Sequence, residues 1–214
     1  TYLVLASAYL AMLDGITAAL EAKKTPKELE ASLSKNAGEG DFYLEKDRAY
    51  RSEKEVFEEY TQEERERLFG RAPATVWENL QAFHKYPDKL RVLLNRAEVI
   101  DRITLESYEE AILAAWAAEL YGRIIPNTMD LVRECRKLHQ DYECTDFDLL
   151  KWKTIQELRI YLGQDEIVKK CLLTRIKQAL DDKKYDEASA LQIEMQEKVQ
   201  ELVDTYVEYK KNLL

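Results

Sequence analysis

From Gln164 to Leu214 the chain runs 51 residues without a glycine or a proline. These two residues punctuate backbone most strongly, so a stretch lacking both favours long helices. Ala188, Leu191, Met195, Leu202, Tyr206, Tyr209 and Leu213 recur at near-heptad spacing, and Val199 fills the gap. Such a stripe is the seam of a coiled coil or helical bundle. It predicts a last helix from about Asp186 to Asn212. Ahead of it, Thr145 caps a helix carrying Leu149, Trp152, Ile155, Leu158 and Leu162, which Gly163 ends. A middle helix carries Ile167, Cys171, Leu172, Ile176 and Leu180. Residues 145–214 are expected to form an antiparallel three-helix bundle, with a linker at 140–145.

The upstream residues 1–140 also read as helical. Residues 2–23 carry two adjoining apolar stripes. Leu3, Ala6, Leu10, Leu13 and Leu20 form one, and Tyr2, Leu5, Tyr9, Met12 and Ile16 form the other. A helix apolar on two faces is buried by partners on both sides. Thr25, Pro26 and Glu28 open a second helix to about residue 34 with a capping box. Residues 36–51, with Gly38 and Gly40, read as a loop. Ser52 with Glu55, and Thr61 with Glu64, are two further capping boxes, and Gly70 stops the second helix. Pro73 starts a helix to about His84, bearing Val76, Trp77, Leu80 and Phe83. Pro87 starts a short one. A long helix from about Leu105 carries Ile112, Trp116, Leu120 and Ile124, and Pro126 breaks or kinks it. A second rod then reaches about His139. No strand alternation of useful length occurs, so the fold class is all-α.

Charge and cysteine usage remove several functions. The net charge is −9 and the basic residues do not cluster, which argues against nucleic acid and anionic membranes. Cys135, Cys144 and Cys171 are odd in number and widely spaced, so they read as reduced thiols in a cytoplasmic protein. Residues 1–20 have nearly the length of a membrane span, but Asp14 sits near the middle and Gly15 beside it. They read as a helix buried within a large protein. The chain opens on Thr1 without a methionine, which points to a cut or processed product.

A search for catalytic chemistry assigns no catalytic, cofactor-binding or metal-ligating residue. Neither His84 nor His139 follows a glutamate by three residues, so a di-iron helix pair is excluded. No H-E-x-x-H is present. Cys135 and His139 share a helix face at four residues' spacing, which reads as a packed thiol near a surface histidine rather than nucleophile and base. Gly38 and Gly40 lack the lysine and third glycine of a phosphate loop. Asp181 to Asp186 reads as a helix–helix turn, because Lys183 and Tyr185 stand where calcium ligands are required. The glutamates from Glu53 to Glu66 read as a solvated face. Tyr206 and Tyr209 are candidates for a contact surface.

The opening Tyr2-Leu3 and the later Leu13-Asp14-Gly15-Ile16 resemble a segment of the glutamine synthetase catalytic domain. In that family an Asn-Pro-Tyr-Leu stretch opens a buried helix ending in Leu-Asp-Gly-Ile. Thr1 stands where the family has proline. Residues 104–126, with Ser107-Tyr108 and Arg123-Ile-Ile-Pro126, resemble the family's last core helix more weakly. Residues 145–214 resemble a helical extension of some bacterial members. The resemblance implies a helical layer closing a larger catalytic domain, residues 1–140, followed by the bundle extension. It implies an ATP-dependent glutamate–ammonia ligase requiring a divalent metal, whose ligands lie upstream and outside this sequence. The matched residues carry a packing role, so the chain alone is expected to be inactive. Homo-oligomerisation and contact with the missing catalytic part are the expected partnerships. The alternative is a free-standing helical interaction module that presents residues 186–214 to a partner.

Overall fold

The computed structural model describes residues 2–33, 54–84, 101–140, 142 and 144–213. All regular structure among them is helical, and the chain is all-α. It divides into two compact units, residues 1–72 with 91–99, and residues 73–90 with 100–214. The loop expected at 36–51, Ser52 and the short helix expected after Pro87 lie outside the described residues.

The first unit holds α1 (Tyr2–Glu21), α2 (Pro26–Leu33), α3 (Val56–Glu59) and α4 (Gln62–Phe69). The α1 helix ends in a left-handed residue, Lys23 at φ 53°. Lys23 N–H donates to Leu20 O at 3.1 Å and Lys24 N–H to Ala19 O at 3.0 Å, which satisfies the last carbonyls of the helix. The Thr25–Glu28 box then starts α2, with Thr25 N–H donating to Glu28 Oε2 at 2.8 Å. The Thr61–Glu64 box forms in both directions at α4. At α3 the expectation is corrected. Glu55 is not the third residue of a box but the cap itself, its carboxylate accepting from Phe57 N–H. The helix is therefore one turn long.

The second unit holds α5 (Val76–His84), α6 (Arg102–Glu119), α7 (Ile125–Glu134), α8 (Asp146–Gly163), α9 (Leu172–Asp181) and α10 (Tyr185–Leu213). The α6 helix starts earlier than its apolar spacing suggested, because Asp101 caps it through Thr104 N–H at 2.6 Å. Pro126 does not end the rod. A π-helical turn, Leu120–Ile124, joins α6 to α7, with Ile125 N–H donating to Leu120 O. One extra residue per turn moves the proline ring past the carbonyl it would strike in an α-helix. Leu120 and Ile125 on either side of this turn are fully buried.

The core runs along α10. Ile155 and Leu162 of α8, Leu172 and Ile176 of α9, and Ala188 and Leu202 of α10 are all sealed from solvent. The α8 helix runs antiparallel to α10, since Asn212 bonds Asp148 at 2.7 Å, Lys151 pairs with Glu208, and Tyr161 reaches Glu194. The α9 helix turns through residues 182–184 and packs back along α10. Three links tie the earlier helices to the same rod. Thr75 Oγ1 meets Ser189 Oγ at 2.6 Å, Trp77 Nε1 donates to Asp186 at 2.6 Å, and Trp116 Nε1 donates to Gln192 at 2.8 Å. Helices α5, α6 and α7 therefore share one core with the terminal helices.

Two other sequence expectations are corrected here. The helix read as reaching His139 ends at Glu134, with Cys135 already at ψ 79°. Ile167 belongs to no helix. It sits in the exposed connection between α8 and α9, where Asp165 Oδ1 accepts from Cys171 N–H at 2.9 Å and fixes the start of α9.

Candidate interaction surface

The end of α7 brings Cys135 and His139 near the C-terminal half of α10, but on different terms. Because residues 135–139 are not helical, the four-residue spacing puts no shared face between them. Cys135 is buried, and burial pushes its thiol up, with the Arg159 and Lys210 charges opposing. A nucleophilic cysteine needs the opposite shift.

His139 turns instead to Tyr209. The Tyr209 hydroxyl accepts from Leu138 N–H at 2.9 Å and His139 N–H at 3.2 Å, and lies 2.7 Å from His139 Nδ1. A tyrosine hydroxyl has two lone pairs and one proton. The hydroxyl and His139 Nδ1 share a third hydrogen bond. Tyr209 is fully buried, which corrects its reading as a contact residue. Tyr206 is half-buried and its hydroxyl donates to Arg136 O at 3.2 Å. Both tyrosines hold the 135–139 segment onto α10.

The turn read at Asp181–Asp186 is confined to residues 182–184, between α9 and α10. Lys183 takes a left-handed conformation at φ 56°, and Lys184 N–H donates to Ala179 O at 2.8 Å. Of the acidic run, Glu55, Glu58, Glu59, Glu63, Glu64 and Glu66 lie exposed. Among the described residues no group of three or more histidine, cysteine or carboxylate side chains gathers as a metal site. No described helix is long and apolar enough to cross a membrane.

What stands out instead is bare apolar surface. On α1, Leu5, Tyr9, Met12, Ile16 and Leu20 are all at least half exposed, Tyr9 by 71% and Leu20 by 73%. These are residues whose spacing called for burial. Each such side chain gains about 1.5–3 kcal/mol when fully covered. A second bare face lies on α6, where Ile103, Tyr108 and Ile112 flank a shallow groove of about 430 Å³. In the sequence Ile112, Trp116, Leu120 and Ile124 recur every four residues. A strict four-residue repeat drifts around a helix of about 3.6 residues per turn, so Ile112 swings outward while Trp116 and Leu120 stay in. A third apolar point is Ile167-Val168, fully exposed between α8 and α9. The chain matches no protein-family model, no curated protein and no solved structure.

Proposed function

We propose that this chain is the C-terminal helical part of a glutamine synthetase-like ATP-dependent glutamate–ammonia ligase. Its role is structural, in assembly or regulation, and it supplies no catalytic residue. The observation that carries this reading is α1. The segment resembling the family's buried catalytic-domain helix carries apolar residues on adjoining faces, and Leu5, Tyr9, Met12, Leu13, Ile16 and Leu20 among them stand open to solvent in this chain. A helix of that composition fits an interior, and the upstream catalytic part of the same polypeptide would provide it. In this reading ATP and divalent metal bind upstream, the assembled enzyme is a homo-oligomer, and its compartment is the cytoplasm. The three free thiols suit a reducing environment.

A free-standing helical interaction module is the alternative. If that holds, α1 is the docking helix rather than the terminal one. Leu191, Met195, Leu202 and Tyr209 of α10 are already buried in its own unit, whereas α1 is bare.

Immunoblotting of the source cells with an antibody to this chain separates the two. The ligase reading expects a band well above 25.1 kDa. Immunopurified material of that size should then form glutamine from glutamate, ammonia and ATP with a divalent metal. A band at the chain's own mass, or a larger product without that activity, overturns it.

A further inference from the structure

We propose that the cleft between α7 and α8 binds a small organic oxyanion, a carboxylate or phosphate head on a short apolar body. The inference goes beyond the ligase reading and does not depend on it. The cleft has about 320 Å³ of room, the size of a small-ligand site. Arg133 of α7 and Arg159 of α8 line it, and no carboxylate does. That runs against the composition, in which 41 acidic residues outnumber 32 basic ones. A second hollow, at the α8–α9 connection, is mixed instead. Glu157 and Glu166 stand there with Lys169 and Lys170, so its charges cancel.

Arg159 carries the argument. It is half-buried, and a guanidinium withdrawn from water ordinarily meets a carboxylate. Here its Nε donates to Val132 O at 3.0 Å, and the group lies 5.7 Å from the centre of the Trp152 ring. These two contacts hold the side chain in place without neutralising it. Among the described residues no carboxylate pairs with Arg159, and its terminal amino groups meet no acceptor. Most of its planar fork of N–H donors is therefore left over, and that fork matches the paired oxygens of a carboxylate or phosphate. Arg133 is the second cation. It reaches Asp130 through Nη1 at 3.3 Å, but both side chains are 69% exposed, so water screens that pair and the ligand can compete for Arg133. Gln156 and Gln164 add neutral amide donors to the lining. The rest of the cleft is apolar. Gly163 has no side chain, and a Cβ there would meet Met129 Sδ at 3.1 Å, so the α8 backbone and the Met129 thioether close up as one wall. Val132 and Ile160 extend it. A bare inorganic anion leaves this wall uncovered, whereas an apolar body on the anion covers it.

The test uses the whole chain with isotope-labelled methionine methyl groups, read by nuclear magnetic resonance. The sequence holds three methionines, so Met129 reports on the cleft while Met12 on α1 and Met195 in the core serve as controls. Phenyl phosphate and benzoate are the probes. Inorganic phosphate supplies the head alone, and benzamide is the uncharged match to benzoate. At least one probe should shift the Met129 signal saturably at millimolar concentration, leave Met12 and Met195 in place, and bind at least tenfold tighter than inorganic phosphate and benzamide. Which probe does so separates a phosphate from a carboxylate ligand. Arg159→Gln should weaken binding at least tenfold with the Met195 signal and helical circular dichroism unchanged, and Arg159→Lys should restore only part of it. If Arg159→Gln unfolds the chain, Arg133→Gln gives the reading from the exposed edge, with binding at least threefold weaker and an unchanged melting temperature. The proposal is overturned by no saturable Met129 shift with either probe, or by all three methionines shifting together. Benzamide binding as tightly as benzoate also overturns it, since the cleft would then be an apolar hollow only. So does full affinity in both Arg159→Gln and Arg133→Gln.

Discussion

The Tyr209 hydroxyl accepts from one buried and one part-buried backbone donor, the His139 and Leu138 N–H groups. Tyr209→Phe keeps the ring but leaves the Leu138 and His139 N–H groups without it. Orphaning the buried His139 donor costs about 1–3 kcal/mol, whereas the part-buried Leu138 N–H can turn to water, so the variant should lose about 1–3 kcal/mol in urea denaturation. A loss below about 0.5 kcal/mol would mean that the 135–139 segment is not held by this hydroxyl. Carboxylates at helix starts set the acid behaviour. The Cys171 backbone N–H, then its side chain, hold Asp165 well below the usual carboxylate range. Thr145 N–H, then the Asn212 amide, lower Asp148. A depressed folded-state pKa adds stability that is fully present above the unfolded value of about 3.9 and is lost as pH falls through the folded value. Melting temperature should therefore drop as pH falls below about 4. Asp165→Asn and Asp148→Asn should start lower at neutral pH and fall less steeply. Parallel curves for variant and parent would remove these two groups from the acid transition.

At the level of the elements, the turns between helices leave the clearest room for added stability. Lys183 occupies the left-handed position of the α9 terminus, where Ala179 and Leu180 carbonyls are capped by Lys184 and Lys183 N–H. A side chain suffers steric strain there that glycine does not. Lys183→Gly should raise stability by about 0.5–1 kcal/mol in urea denaturation, and a destabilised variant would show that the lysine's own contacts outweigh the strain. The same elements show what a sequence states openly. The boxes at Thr25 and Thr61 and the cap at Thr145 are legible because donor and acceptor lie three residues apart, within one turn. The end of α7 at Glu134 is not legible, because it is set by Tyr206 and Tyr209 some seventy residues away. The start of α9 escapes a sequence reading for a similar reason. Asp165 caps from six residues upstream, beyond the spacing of a simple cap. Ile112 shows that a four-residue repeat counts a stripe as straight when the helix carries it around.

Across the whole molecule, burial is unevenly shared between the two units, each taken by itself. In the second unit, α8, α9 and α10 seal Ile155, Leu162, Leu172, Ile176 and Leu202 completely. In the first, α1 to α4 contribute no buried side chain among those described. The apolar pattern of α1 is plain in the sequence, but whether anything covers it is not, because a pattern records the demand for burial and not its source. Local stability follows buried apolar contact, so helices without it open at low free energy. Hydrogen–deuterium exchange on the chain should show amides of α1 to α4 exchanging at least about 100-fold faster than those of Ile155–Leu162 and Ala188–Leu202. That ratio corresponds to about 2.8 kcal/mol. Equal protection of α1 and α10 in the isolated chain would contradict this, and would mean that the exposed side chains of α1 do not report its stability. In the larger natural polypeptide that the ligase reading expects, α1 should gain protection while α10 changes little. Exchange on both forms therefore separates a helix that is weak by composition from one that lacks its cover. On the ligase reading, the composition of α1, with Leu5, Tyr9, Met12, Ile16 and Leu20 on view, is that of a helix whose cover lies upstream.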